Sequence, residues 1–420
     1  MSTNLTVESP TRSLFSQVCS GALATFERLP RARRRPDVTS LLSIAERQTG
    51  LRDFGDNRFS EAMAFLLESI EREARLNALG RFVFHQHAIQ LLRNRLYLQR
   101  DSQIDRRISG RKITKPVFIT GLPRTGTTLL HSLLAQDEEL FTAPLTWEVI
   151  YPSAAQGDSC SRIERTERDL KWFDRLVPAF RAIHPVSAEL PQECVAIMSH
   201  YFMSEEFDTM FDVPEYELWL EEQDQRPVYA FHKSFLQHLR PEFPERRFVL
   251  KAPAHLHSIE AILAVYPDAQ IVHTYRHPLR VVPSLANLTF ILKSAFSDDV
   301  DPLETGPSVL RYCHRNLQRF FASRDRLQSS CCTDVSYVDL VRDPISVVRK
   351  IYASLGESLT LDTESRMVKF LSENPKSKWG RHIYSATTFG LSASSIEEQF
   401  RFYTDRFNLA SPLSEITAAE

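Results

Sequence analysis

Gly121 and Gly126 stand five positions apart, enclose Leu122-Pro123-Arg124-Thr125, and are followed by Thr127-Thr128. The apolar run Pro116-Val117-Phe118-Ile119-Thr120 precedes them, and Leu129-Leu130-His131-Ser132-Leu133-Leu134 follows. This pattern predicts a buried strand, a tight loop and a helix. Such a loop aims backbone N–H groups and the positive end of the helix dipole at one point, where an anion is held. Arg124 adds a fixed charge with a forked donor set, and Thr127 and Thr128 add hydroxyls in the first turn. ATP-cleaving loops of this kind carry Lys directly after the second glycine, where it reaches the β- and γ-phosphates. Here Thr127 fills that place and the cation is Arg124. The expectation is a loop that binds a phosphate-like group but lacks that lysine. The two glycines carry information because the chain has few of them: 12 in 420, about 3% against a usual ~7%.

Three further strand-like runs end in residues with chemical potential. Gln270–Tyr275 runs into Arg276-His277-Pro278, with Ser284 eight positions after the arginine. An arginine at a strand end and a serine two turns into the next helix can reach one anion. Phe248-Val249-Leu250 runs into Lys251-Ala252-Pro253-Ala254-His255, and Val335-Ser336-Tyr337-Val338 is read as a fourth strand. Glu148 follows Leu145-Thr146-Trp147, 24 residues after Arg124. Lys376-Ser377-Lys378-Trp379-Gly380-Arg381-His382 forms a basic loop near the C-terminus. His85/His87 and His255/His257 are each two apart with no further ligand-type residues at useful spacing, so no metal is expected.

Pro123-Arg124-Thr125-Gly126-Thr127-Thr128 resembles the 5′-phosphosulfate loop of the PAPS-dependent sulfotransferases, in the arginine form usual in the bacterial branch. Arg276 and Ser284 resemble that family's 3′-phosphate pair, and Tyr337 the tyrosine that contacts adenine. The loop holding Lys378, Arg381 and His382 sits where the family closes over the 3′-phosphate, although its order departs from the common Arg-Lys-Gly pattern. The resemblance covers about residues 115–407. It implies in-line transfer of a sulfuryl group from PAPS to a hydroxyl or amine, with PAP as product. Such transfer needs positioning, charge stabilisation and a general base. Two bases are in view. A glutamate at about the distance of Glu148 serves in carbohydrate-type and some bacterial members. A Lys-x-His serves in the cytosolic type, which Lys251 and His255 match imperfectly. Glu148 is favoured, with Lys251 stabilising charge. The alternatives are a P-loop kinase or nucleotidase and a non-catalytic nucleotide-binding scaffold.

Strands separated by helices argue for an α/β fold, a P-loop-type parallel sheet flanked by helices. Helices are expected at about 126–136, 255–265, 279–292, 307–328, 343–354 and 394–407. Residues 1–110 are expected to be an N-terminal helical extension before a sulfotransferase domain at 111–420. Met63, Leu66, Leu67, Ile70 and Ala74 trace one helical stripe, with Ser60 a candidate N-cap and Gly80 a candidate stop. Phe84, Ala88, Leu91, Leu92 and Leu96 trace a second. The less regular 140–245 stretch is the expected acceptor region. Its segment between Ser204 and Gln225 holds nine acidic residues and no Lys or Arg. That segment is either a cap favouring a neutral or cationic acceptor, or a helix pair with a solvated acidic face.

A formal charge of −2 argues against a dedicated nucleic-acid partner. A 43% hydrophobic and 25% charged composition excludes disorder. Six irregularly spaced cysteines suit a reducing cytoplasm. No transmembrane segment or secretory signal is read. The basic cluster Arg31, Arg33, Arg34 and Arg35 is read as a solvated loop. The acceptor is expected to be a small molecule, lipid or sugar, and a homo-oligomer is compatible with the sequence.

Overall fold

The computed structural model describes residues 13–27, 36–183, 186–239, 245–326, 331–374 and 385–411. The arginine cluster at 31–35 and the basic loop with Lys378, Arg381 and His382 lie outside the described residues. Five strands form one sheet: β1 (Val117–Thr120), β2 (Phe141–Thr142), β3 (Arg247–Lys251), β4 (Gln270–Tyr275) and β5 (Cys332–Ser336). Their order is β2-β3-β1-β4-β5, and every pairing is parallel. From β1 the chain builds β2 and β3 on one side, then crosses to add β4 and β5 on the other. The carboxyl end of β1 is therefore the point where winding reverses, and open α/β sheets bind their ligands there.

Strand residues alternate between two cores. Val117, Ile119, Val249 and Val272 pack with Leu130, Leu133 and Leu134 and with Val347, Val348 and Ile351. Phe118, Leu250 and Ile271 join the larger core on the other face. Burying such a side chain contributes about 1.5–3 kcal/mol. Burial on both faces explains why the strands read as unbroken apolar runs.

The N-terminal stripes fold as predicted, with corrected ends. The first helix is Phe59–Arg72, preceded by Arg58, so Ser60 lies inside it and caps nothing. Gly80 stops no helix. It lies in the first turn of the helix Ala78–Ile104, whose cap Asn77 accepts the Gly80 N–H at 2.8 Å. The reason for the glycine is contact: a Cβ there would meet the Phe296 carbonyl oxygen at 2.2 Å. Phe84, Ala88, Leu91, Leu92 and Leu96 are all buried. Arg95 of the same helix is buried too. Its guanidinium donates to the carbonyls of Phe54, Asp56 and His200 at 3.0, 2.8 and 3.2 Å, tying three segments together.

Other boundaries moved for local reasons. The fourth predicted strand ends at Ser336, because that serine caps a helix, Tyr337–Arg342, by accepting the Asp339 N–H. The helix expected from 307 starts at Pro302 behind the cap Asp301 and runs through Gly306 and Pro307. Residues 253–265 split into a 3₁₀ turn, Pro253–His257, and a helix, Ile259–Val265. The two-residue β2 carries no readable period and was not expected. No described helix is long and apolar enough to cross a membrane.

Candidate active site

The loop after β1 needs both glycines. Gly121 has φ 151° and Gly126 φ 91°. A Cβ on Gly121 would lie 2.3 Å from the Thr274 carbonyl oxygen, and one on Gly126 3.1 Å from the Tyr337 ring. Arg124 also sits in the left-handed region, φ 71°, a conformation that costs a non-glycine residue about 1 kcal/mol or more and clusters at functional sites. The buried Thr125 hydroxyl donates to the Leu122 carbonyl at 2.6 Å and pairs with the Thr274 hydroxyl at 2.6 Å. Its side chain thus braces the loop against β4. Thr127 and Thr128 open the helix Thr127–Leu134, whose first N–H groups face the loop.

The predicted anion ligands converge on this loop. Arg124 Nε donates to Ser284 Oγ at 3.1 Å, and Arg276 Nη1 donates to the Arg124 carbonyl at 3.0 Å. The Arg276 guanidinium lies 4.0 Å above the centre of the Tyr337 ring, a cation–π contact. Lys251, buried at the end of β3, donates from Nζ to Thr128 Oγ1 at 3.3 Å and pairs with the Glu193 carboxylate. Lys251, the loop, Arg276 and Tyr337 therefore follow the carboxyl ends of β3, β1, β4 and β5 in spatial order. Pro123, Arg124, Thr127 and Thr128 border a cavity of about 930 Å³.

The two expected bases do not line that cavity. Glu148 sits on the short helix Thr146–Ile150, where its Oε2 accepts the Leu145 N–H at 2.9 Å. It faces a separate cavity of about 380 Å³ with Asp101, Arg162 and His238, while Val149 and Ile150 face the large one. Adjacent helical positions point to different faces. Burial pushes the Glu148 carboxyl up to about 6. His255 is fully buried: its Nδ1 pairs with the Tyr229 hydroxyl at 2.7 Å, and its ring meets Phe118 edge-on with centroids 4.9 Å apart. Burial holds its pKa well below the ordinary value.

A carboxylate that the sequence did not reveal does line the large cavity: Glu193, beside Gln192. It sits at the end of a strap pinned to the segment after β2. Thr146 and Trp147 N–H groups donate to the Leu190 and Ala188 carbonyls at 3.0 Å each, and the Gln192 N–H donates to the Pro144 carbonyl at 2.8 Å. A Glu before Cys194 matches no motif; its contact with Lys251 and its place in the cavity lining identify it.

The rest of the cavity is mostly apolar. Val83 and Leu91 come from the N-terminal helix Ala78–Ile104, Phe173 and Ala196 from the 140–245 stretch, and Leu288 and Leu292 from the helix Pro278–Phe296. The acidic segment divides: Glu205, Asp208 and Glu217 line the cavity, while Glu215, Glu222 and Asp224 keep a solvated face. Tyr312 donates to Glu205 at 2.9 Å, Arg315 pairs with Glu217 at 2.6 Å and Lys293 with Asp212 at 2.9 Å. Burial pushes Glu205 up to about 8, which favours its neutral form.

A profile described as the sulfotransferase family matches residues 116–360. Among curated proteins, the chain is 28% identical over 258 residues to an omega-hydroxy-beta-dihydromenaquinone-9 sulfotransferase, Stf3, of Mycobacterium bovis. That alignment covers 57% of this chain and 62% of the relative. Among solved structures, sulfotransferase STF1 of Mycobacterium tuberculosis superposes with a TM-score of 0.78 at 29% identity, covering 87% of this chain and 98% of that one. Sulfotransferase STF9 of Mycobacterium avium also superposes at 0.78, with 26% identity over 89% of this chain and 97% of that one. The family profile spans more than half of the 420 residues, so this chain belongs to the sulfotransferase family.

Proposed function

We propose that the protein transfers a sulfuryl group from PAPS to a hydroxyl of an apolar small molecule. The observation that carries this reading is the convergence of Arg124, Arg276 and Ser284 around one loop that borders a large, mostly apolar cavity. The loop N–H groups, Arg124, Thr127 and Thr128 would hold the 5′-phosphosulfate, with Pro123, Thr125 and Gly126 shaping the turn. Arg276 and Ser284 would hold the 3′-phosphate, and Tyr337 would border the adenine. Lys378, Arg381 and His382 remain our candidates for the segment that closes over the 3′-phosphate. As the bond to sulfur breaks, charge gathers on the 5′-phosphate, where fixed cations and N–H dipoles are most effective.

The apolar cavity favours a lipid-like acceptor over a sugar, and the menaquinone named for the curated relative points the same way. We assign residues 111–420 as the transferase domain and residues 1–110 as a helical extension that supplies part of the cavity wall. Six cysteines without a disulfide support a cytoplasmic setting. Calorimetry with PAP and with ATP–Mg tests the donor: PAP is expected to bind more tightly, and tighter ATP–Mg binding would overturn the reading. An acceptor screen with ³⁵S-labelled PAPS then identifies the hydroxyl compound.

A further inference from the structure

We infer that Glu193 is the general base of the reaction and that Lys251 holds it in place. This rests on the sulfuryl-transfer reading above. The acceptor hydroxyl must meet the phosphosulfate beside Arg124, Thr127 and Thr128, because that is where the cavity reaches the loop. Glu193 lines the cavity together with these residues, and its side chain is 17% exposed. Lys251 links it to the loop, because the same ammonium pairs with Glu193 and donates to Thr128 Oγ1 at 3.3 Å. Glu148 faces the other cavity and His255 is sealed behind Phe118. Glu193 already lines the large cavity in which the hydroxyl would lie.

Glu193 takes the hydroxyl proton as the acceptor oxygen bonds to sulfur. The bond from sulfur to the 5′-phosphate oxygen breaks, and its electron pair stays on that phosphate. Lys251 holds the Glu193 carboxylate aimed before transfer. Once the proton has neutralised Glu193, the ammonium is released toward the phosphate that has gained charge. The proton on Glu193 then passes to water.

The test uses the full-length protein, ³⁵S-labelled PAPS and a series of primary alcohols and phenols of graded acidity. Glu193→Gln is expected to slow transfer to alcohols by about 10²–10⁴-fold. It should slow transfer to 4-nitrophenol only a few-fold in alkaline buffer, where that phenol is already ionised. PAP should bind Glu193→Gln as tightly as the wild type or more tightly, since one negative charge near Arg124 and Lys251 is gone. Glu193→Asp, which keeps the charge, should recover part of the alcohol rate. An unchanged alcohol rate, or an equal loss for every acceptor with PAP binding intact, overturns the base assignment. So does loss of PAP binding in a variant that unfolds at the wild-type temperature. If the wild type transfers nothing to any acceptor, the sulfuryl-transfer reading itself falls, and the PAP calorimetry distinguishes the two failures.

Discussion

The proposed phosphate end of the site and the proposed acceptor end are built in opposite ways. The first is a short continuous loop plus residues at the ends of adjacent strands, with Lys251, Gly121–Thr128, Arg276 and Tyr337 set side by side by sheet order. The second is a wall of helical side chains drawn from positions as far apart as Val83 and Tyr312. A strand end has one direction, fixed by the pairing of its neighbours, so its residue type alone says where its chemistry points. A helical residue can face any of several neighbours, and Glu148 beside Val149 shows how one step reverses the destination. The phosphate end should therefore fail completely and for every acceptor when one cation is lost. The acceptor end should fail selectively.

The largest effect is expected at the phosphate end. Arg124→Ala and Arg276→Ala should each reduce turnover by at least ~10³-fold with every acceptor and weaken PAP binding in calorimetry. Removing Arg276 also strips the cation from the Tyr337 ring and the donor from the Arg124 carbonyl. Wild-type turnover in either variant would remove the basis of the comparison.

A smaller and selective effect is expected at the other end. Ala196→Phe places a ring in the large cavity. It should raise the KM of long acceptors about 10-fold or more while PAP affinity stays unchanged. Equal losses for short and long acceptors would mean that the cavity does not sort them.

The smallest effect concerns Glu148 and is read in stability. Burial raises its pKa from 4.5 to about 6, so the folded protein binds this proton more tightly than the unfolded chain. Below about pH 4 both states are protonated and there is no penalty. The penalty grows between the two pKa values and is complete above pH 6. Glu148→Gln keeps an oxygen for the Leu145 N–H and removes the charge. It should match the wild type at pH 4 and exceed it by up to about 2 kcal/mol at pH 8, less whatever Arg162 loses as a neighbour. Urea unfolding at both pH values measures this, and a variant less stable at pH 8 would refute the account. Near-normal transfer by the same variant would agree with Glu193 as the base.

Legibility followed the same division. The strand–loop–helix at 116–134, the strands ending at Lys251 and Tyr275, and the convergence of Arg124, Arg276 and Ser284 were readable, because local period and short spacing encode them. Tyr337 was read on a strand but opens a helix: four residues cannot distinguish a strand's end from a capped helix start. Glycine was scarce enough to guide the reading at Gly121 and Gly126. It misled at Gly80, where the cause is the backbone of Phe296, 216 residues away. The acidic segment was legible as a charge run, but which of its carboxylates turn inward was not.

By itself, the sequence determined the sheet, the glycine-bounded loop and the cations at the strand ends beside it, since these depend on backbone direction and on residues near in the chain. Tertiary structure decided which carboxylate lines the cavity beside the loop. Glu148 and His255 had the better motifs, but packing turned one to another cavity and sealed the other in the core. Glu193, with no motif, was carried to Lys251 by a strap held through backbone hydrogen bonds. A side chain's chemistry is written in its type, but its access depends on which distant segments cover it.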